Sequence, residues 1–213
     1  TSSAASDVYK RQLLISDGYR SHQFNWFADM LRLKSGIKRA NFSLYVRWLK
    51  DGLRENRGWD EMVYNMMTAE GSLATNGASG YLLRDAGMPL DSLSNTLTTF
   101  LGANVSCAQC HDHPLAEWTQ REFYEMASFF GATDVSSRDP RKVGNAIKDN
   151  KISKQDVMAV VAQNMYRVKT LDANHLVYPE DYAYDDVKPG ETVEPYLIGW
   201  GENCLLYTSD AAD

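Results

Sequence analysis

Apolar residues recur at the spacing of an α-helix along most of the chain. Between Asn41, a predicted N-cap, and Asn56 they fall three or four positions apart. Two further stretches, after Gly58 and from Pro89, repeat the pattern. The apolar positions are Leu44, Tyr45, Trp48, Leu49 and Leu53; Trp59, Met62, Val63, Met66 and Met67; and Leu93, Leu97, Phe100 and Leu101. These stripes predict amphipathic helices that pack around a common core.

Polar residues mark where two more helices begin. Thr119 and Glu122 have the spacing of a capping box and precede an aromatic-rich apolar run. Ser153 and Asp156 repeat that arrangement before a second apolar run. Each pair can satisfy backbone N–H groups that a helix leaves open at its start. Both runs are therefore predicted to be helical.

The remaining segments are rich in turn-forming residues. Residues 71–80 carry three glycines with serine and asparagine, which predicts a loop. Residues 174–199 are rich in tyrosine, proline and aspartate, which predicts an irregular arm docked on the body. The predicted fold class is therefore mainly α: an irregular helical domain with a loop-rich extended C-terminal arm.

The two ends of the chain differ from its body. Residues 2–12 read SSAASDVYKRQ and residues 204–213 read CLLYTSDAAD. Both strings resemble translations of one transposase-type sequencing adapter, read in opposite directions at the ends of a short-read contig. We interpret 1–12 and 204–213 as adapter-derived tails, which are set aside before fold reasoning. Residues 13–203 are then expected to be a metagenomic fragment of one helical domain from a larger protein.

Composition narrows the function classes. The 213 residues carry a net charge of -6 and are 44% hydrophobic, which is typical of a globular domain. The acidic balance argues against a nucleic-acid partner, because phosphate binding needs a basic face. No run of about eighteen apolar residues is present, so no transmembrane segment is predicted in this fragment. With the tails removed, only Cys107 and Cys110 remain.

One short segment carries distinctive chemistry. Cys107, Cys110 and His111 form the C-x-x-C-H pattern of covalent c-type haem attachment. Two thiols at this spacing can each add to a vinyl group of a porphyrin, and the next imidazole can reach its iron as axial ligand. His113 is a candidate second-shell partner or alternative metal ligand. Met126 is a candidate sixth ligand.

The same residues allow other interpretations. Cys107 and Cys110 with His111 or His113 and Asp112 could hold zinc, or the two thiols could form a disulfide. Either would make the domain a clamped structural or interaction module. An open iron site would instead suit a haem enzyme acting on extracellular carbohydrate, so whether the chain is an enzyme stays open.

The segment resembles a known family over more than this pattern. Phe100 through Pro114, with Trp118-Thr-Gln120, is similar to the planctomycete-type cytochrome c-like domain of unknown function, DUF1549. Segments 26–29, 76–85 and 181–190 extend the resemblance, although Leu115 replaces an expected phenylalanine. The resemblance implies a haem c module for electron transfer or redox work in an exported periplasmic or cell-surface protein. Its partners would be an unknown redox protein and other domains of the parent chain.

Overall fold

The computed structural model describes residues 2–37, 40–85, 87–137, 161 and 164–197. Its α-helices are α1 Ser2–Leu14, α2 Asp17–Met30, α3 Ser43–Arg54, α4 Trp59–Met67, α5 Gly80–Arg84, α6 Pro89–Leu101 and α7 Gln120–Gly131. Its strands are β1 Gly36–Ile37, β2 Ala40–Asn41, β3 Gly71–Ser72, β4 Thr133–Ser137 and β5 Tyr166–Thr170. This architecture confirms the mainly α fold class.

The chain forms two compact units, and the first contains the described residues of Thr1–Ala86 and Val135–Lys169. The predicted helices after Asn41 and Gly58 are present as α3 and α4. Their apolar stripes face inward, as predicted. The buried apolar side chains of this unit include Leu31, Phe42, Tyr45, Leu49, Met62, Met66, Leu73, Tyr81, Leu83 and Val168.

The start of α3 differs from the prediction by one residue. Phe42, not Asn41, is the N-cap residue, and it makes no side-chain capping bond. The Asn41 side chain instead accepts a hydrogen bond from the Ser43 backbone N–H at 2.6 Å. Asn41 thus still satisfies the first open donor of the helix, although it lies one position before the cap.

Residues 71–80 are a loop only in part. They contain β3, a 3₁₀ turn over Gly77–Ser79 and the first residue of α5, and five of the ten are buried. Gly80 lies so close to the Tyr45 ring that a Cβ atom there would overlap it. Here glycine allows close packing rather than flexibility.

Two small sheets were not predicted. β1 and β2 are antiparallel, and a three-stranded sheet has the order β3-β5-β4. Gly71 pairs with Val168 and Ser72 with Arg167 in the antiparallel β3–β5 register. β1, β2 and β3 have only two residues each, too short to show alternating hydrophobicity, so periodicity could not predict them.

The second unit contains the described residues of Gly87–Asp134 and Thr170–Asp213. Here α6 packs against α7, as their apolar faces predict. Leu93 and Leu97 are buried, but Leu101, predicted to face inward, is 73% exposed. The left-handed Gly102 ends α6 directly after Leu101, which leaves that side chain in solvent. The core of this unit contains Leu93, Leu97, Val105, Ala108, Phe123, Tyr124, Met126, Ala127, Tyr178 and Val193.

The C-terminal arm is irregular, as predicted. From residue 174 to residue 197 the described chain contains one isolated antiparallel bridge, between Val177 and Thr192. Tyr178 and Val193 anchor the arm in the core of the second unit. The helix start predicted at Ser153 and Asp156 lies outside the described residues. Among the helices that the structure describes, none is long and apolar enough to cross a bilayer.

Candidate functional site

The two cysteines lie on a short turn between α6 and α7. A 3₁₀ turn covers Ser106–Gln109, and the backbone N–H of Cys110 donates to the Cys107 carbonyl at 3.3 Å. Ala108 is fully buried and holds the turn against the core, whereas both thiols are exposed and free. Cys107 lies within the turn, and Cys110 is the residue that directly follows it.

The ring of His111 is exposed and has a defined tautomer. Its Nδ1 lies 2.7 Å from the backbone carbonyl oxygen of Asp112. Because a carbonyl oxygen can only accept, Nδ1 carries the proton in this bond. The lone pair is then on Nε2. An imidazole in this state is prepared to ligate a metal through Nε2.

His113 has a different position. Its Nε2 lies 3.1 Å from the Asn104 carbonyl, and its Nδ1 accepts the backbone N–H of Leu115 at 3.2 Å. Both ring nitrogens therefore brace the loop. Binding of a metal by His113 stays a prediction, and it would require one of these bonds to break.

The candidate sixth ligand lies in the core. Met126 is on α7, is 9% exposed and belongs to the hydrophobic cluster of the second unit. Its role at iron stays a prediction. Among the residues that the structure describes, no three histidine, cysteine, aspartate or glutamate side chains gather into a group that could hold a metal ion.

Asp112 connects the loop to two other elements. Its backbone N–H donates to the Tyr184 hydroxyl at 3.0 Å, and its carboxylate accepts the backbone N–H of Gln120 at 2.9 Å. With the bond from His111 Nδ1, the N–H, the carbonyl and the carboxylate of Asp112 are all engaged. The residue after His111 therefore orients the imidazole.

Gln120 is a site residue that sequence reasoning missed. It is 1% exposed, and its side-chain N–H donates to the Gln109 carbonyl at 3.1 Å. Its side-chain oxygen accepts the backbone N–H of Ala183 at 3.0 Å. A glutamine in the first turn of a helix usually lies at the surface, so only its nearness to the cysteine loop could have drawn attention to it.

Four tyrosines form an aromatic cluster beside the loop. The ring centroids of Tyr178 and Tyr182 are 5.2 Å apart, and those of Tyr124 and Tyr178 are 5.7 Å apart. Tyr182 continues to Tyr184 at 6.1 Å. Burial raises the pKa of Tyr124 to about 12, with smaller contributions from the charges of Asp181 and Cys110. Tyr124 is buried, whereas Tyr184, which like Tyr178 and Tyr182 belongs to the arm, is 40% exposed.

A surface cavity of about 310 Å³ lies beside Asp112. Its lining residues are Asp112, Thr119, Arg121, Tyr182, Tyr184, Asp185 and Asp186. This lining is charged and includes neither thiol nor His111. A pocket that buries a haem is mostly apolar, so this cavity is not one. The thiols and the imidazole lie on the exposed side of the loop.

The comparisons with known proteins give one match. A family model described as "PSCyt2: Protein of unknown function (DUF1549)" matches residues 2–135. The matched span covers more than half of the chain and includes the cysteine loop. It also includes residues 2–12, whose adapter origin stays a prediction, and it ends before the arm. No curated protein and no solved structure matches the chain.

Proposed function

The chain belongs to the DUF1549 family, whose function is unknown, and from its own site we propose that it is a c-type haem-binding module for electron transfer. One observation carries the proposal. Cys107 lies in the 3₁₀ turn and Cys110 directly follows it, and both are free and exposed, directly before an imidazole whose Nε2 is available. A covalent haem needs this set of donors.

Each residue of the loop would have its own role in binding haem. Cys107 and Cys110 would bind the haem edge through thioether bonds, and His111 Nε2 would ligate its iron. Bound haem supplies one-electron exchange between ferric and ferrous iron. The Asp112 carbonyl holds the imidazole through Nδ1 and fixes its orientation. His113 keeps the loop in shape through Asn104 and Leu115.

The site supports the haem proposal better than its two alternatives. A structural zinc site needs four ligands, and within the described part of the chain no group of even three candidate ligands gathers. A disulfide clamp needs bonded sulfurs, and Cys107 and Cys110 are both free thiols. A haem needs only one protein ligand to iron besides its two thioethers, which this loop can provide.

The proposal includes a location and partners. A haem c module of this family is expected in an exported, periplasmic or cell-surface protein. Its electrons would pass to an unknown redox partner or to other domains of the parent chain. The exposed position of the thiols and His111 would leave a haem edge open to such a partner.

Spectroscopy of the full chain tests the proposal. The chain is produced in a host with c-type cytochrome assembly machinery, and its pyridine haemochrome spectrum is recorded after extraction with acid and organic solvent. We expect haem to resist extraction in the parent chain and in Cys204→Ser, the matched control. Cys107→Ser with Cys110→Ser should lose all covalent haem.

The result that contradicts the proposal is also specific. A folded, soluble chain that carries zinc, or whose haem is fully extractable, would rule out covalent attachment. The same holds if the double cysteine variant and the parent chain give identical spectra. A control cytochrome loaded in the same host confirms that the machinery was active.

A further inference from the structure

We infer that Gln120 is a positioning residue that fixes the Cys110–His111 segment and couples it to the C-terminal arm. Its relevance to haem rests on the proposed function, but its action on the loop does not. The inference rests on one observation: Gln120 binds the two residues that flank the segment, Gln109 and Asp112.

Each flank is held by a different part of Gln120. The side-chain amide donates to the Gln109 carbonyl at 3.1 Å, immediately before Cys110. The backbone N–H donates to the Asp112 carboxylate at 2.9 Å, immediately after His111. The carbonyl before Cys110 and the carboxylate after His111 are thus both tied to the first residue of α7, a rigid element.

Burial makes these bonds strong constraints. Gln120 is 1% exposed, so water cannot easily replace a lost partner. Its side-chain oxygen also accepts the Ala183 N–H of the arm at 3.0 Å. If the side-chain amide of Gln120 is removed, the Gln109 carbonyl and the Ala183 N–H both lose their hydrogen-bond partner. Loop and arm should therefore loosen together.

Hydrogen exchange on the haem-free full chain tests this coupling. Gln120→Met keeps the length of the side chain but removes both side-chain bonds. We expect the protection of the Cys110, His111 and Ala183 amides to fall about tenfold, since the Gln109 carbonyl and the Ala183 N–H lose their partner. The amides in the middle of α6 should keep their protection.

A matched control separates positioning from general stability. Gln23→Met removes the amide of a glutamine in α2 that donates to the Tyr19 hydroxyl at 3.0 Å, and it should leave the loop unchanged. If Gln120→Met does not fold, Gln120→Asn is measured in its place, because it keeps an amide that is one methylene too short. The same local loss of protection is expected.

Two outcomes would overturn the inference. Protection that falls equally in the loop and in α6 would mean that Gln120 is only structural. Unchanged protection of the loop would mean that it holds nothing there. In a haem-assembling host, Gln120→Met should also raise the fraction of chains with a single thioether bond, read from the pyridine haemochrome band, which shifts to longer wavelength when one vinyl group stays unreacted. If the parent chain takes up no haem, the proposed function fails while the exchange result still decides the role of Gln120.

Discussion

At the scale of single residues, the first unit contains a buried ion pair. Arg84 is 2% exposed, and its guanidinium binds the neighbouring Asp85 carboxylate through two nitrogens. It also donates to the Leu31 carbonyl at 2.8 Å and lies over the Tyr81 ring. Burial would lower the pKa of Arg84, but the hydrogen bond and charge of Asp85 raise it overall. Each of the three guanidinium nitrogens thus has a hydrogen-bond acceptor.

Breaking this pair should strongly destabilise the chain. In Asp85→Ala the guanidinium stays buried without its counter-ion, and we expect the free energy of unfolding to fall by about 3–5 kcal/mol. Urea denaturation of the full chain measures the change. An exposed pair is the matched control: Asp51→Ala, which frees Arg54, should cost less than about 1 kcal/mol. Equal losses in the two variants would contradict this account of the pair.

Residues of the site differ in how far sequence could predict them. Cys107, Cys110 and His111 were predicted because their spacing itself carries chemistry. Gln120 was not assigned its part, because its role depends on which backbone groups the fold brings within reach. Arg84 and Asp85 were missed for a related reason: charged residues are normally exposed, and burial cannot be deduced from a dipeptide.

At the scale of elements, local signals that repeat along the chain were reliable. The stripes that became α3, α4 and α6 and the capping box of α7 are encoded within a few turns of helix. The strands and the packed segment 71–80 depend on partners distant in sequence, such as Val168 for Gly71. Such pairings leave no periodic pattern in either segment.

The capping box of α7 gives a prediction at this scale. The Thr119 hydroxyl accepts the Glu122 N–H at 3.2 Å, and the Glu122 carboxylate accepts the Thr119 N–H at 2.8 Å. Thr119→Ala should lower the free energy of unfolding by about 1 kcal/mol. Glu122→Gln keeps a side-chain acceptor and should cost clearly less. Denaturant melts that rank these variants in the opposite order would show that the box is not what starts α7.

The cluster of four tyrosines predicts that the stability of the chain depends on pH. Burial raises the pKa of Tyr124 to about 12, and burial with the charge of Asp186 raises the pKa of Tyr182. Because the pKa is higher in the folded state than in the unfolded state, the protonated tyrosine stabilises the fold. This contribution to the free energy of unfolding is complete below pH 10 and is lost as pH rises toward 12.

Phenolate absorbance measures this effect directly. In a spectroscopic titration, part of the tyrosine signal of the folded chain should appear at higher pH than in the denatured chain. Tyr124→Phe should remove some of that late signal and flatten the loss of stability above pH 10. A titration identical to that of the denatured chain would contradict the burial of the cluster.

At the scale of the whole molecule, the site draws on residues beyond the matched span. The family match ends at residue 135, yet Ala183 and Tyr184 of the arm bind Gln120 and Asp112. The second unit therefore builds the site from two distant parts of the chain. The sequence predicted an irregular docked arm, but composition alone could not show that it holds the cysteine loop.

The most direct test of the central claim is the intact mass of the full chain under denaturing conditions, after production with c-type cytochrome assembly machinery. The account predicts a mass increase of one haem, retained after denaturation and absent when Cys107 and Cys110 are both serine. An unmodified mass, from a host in which a control cytochrome is fully loaded, would contradict the proposal that this loop binds haem covalently.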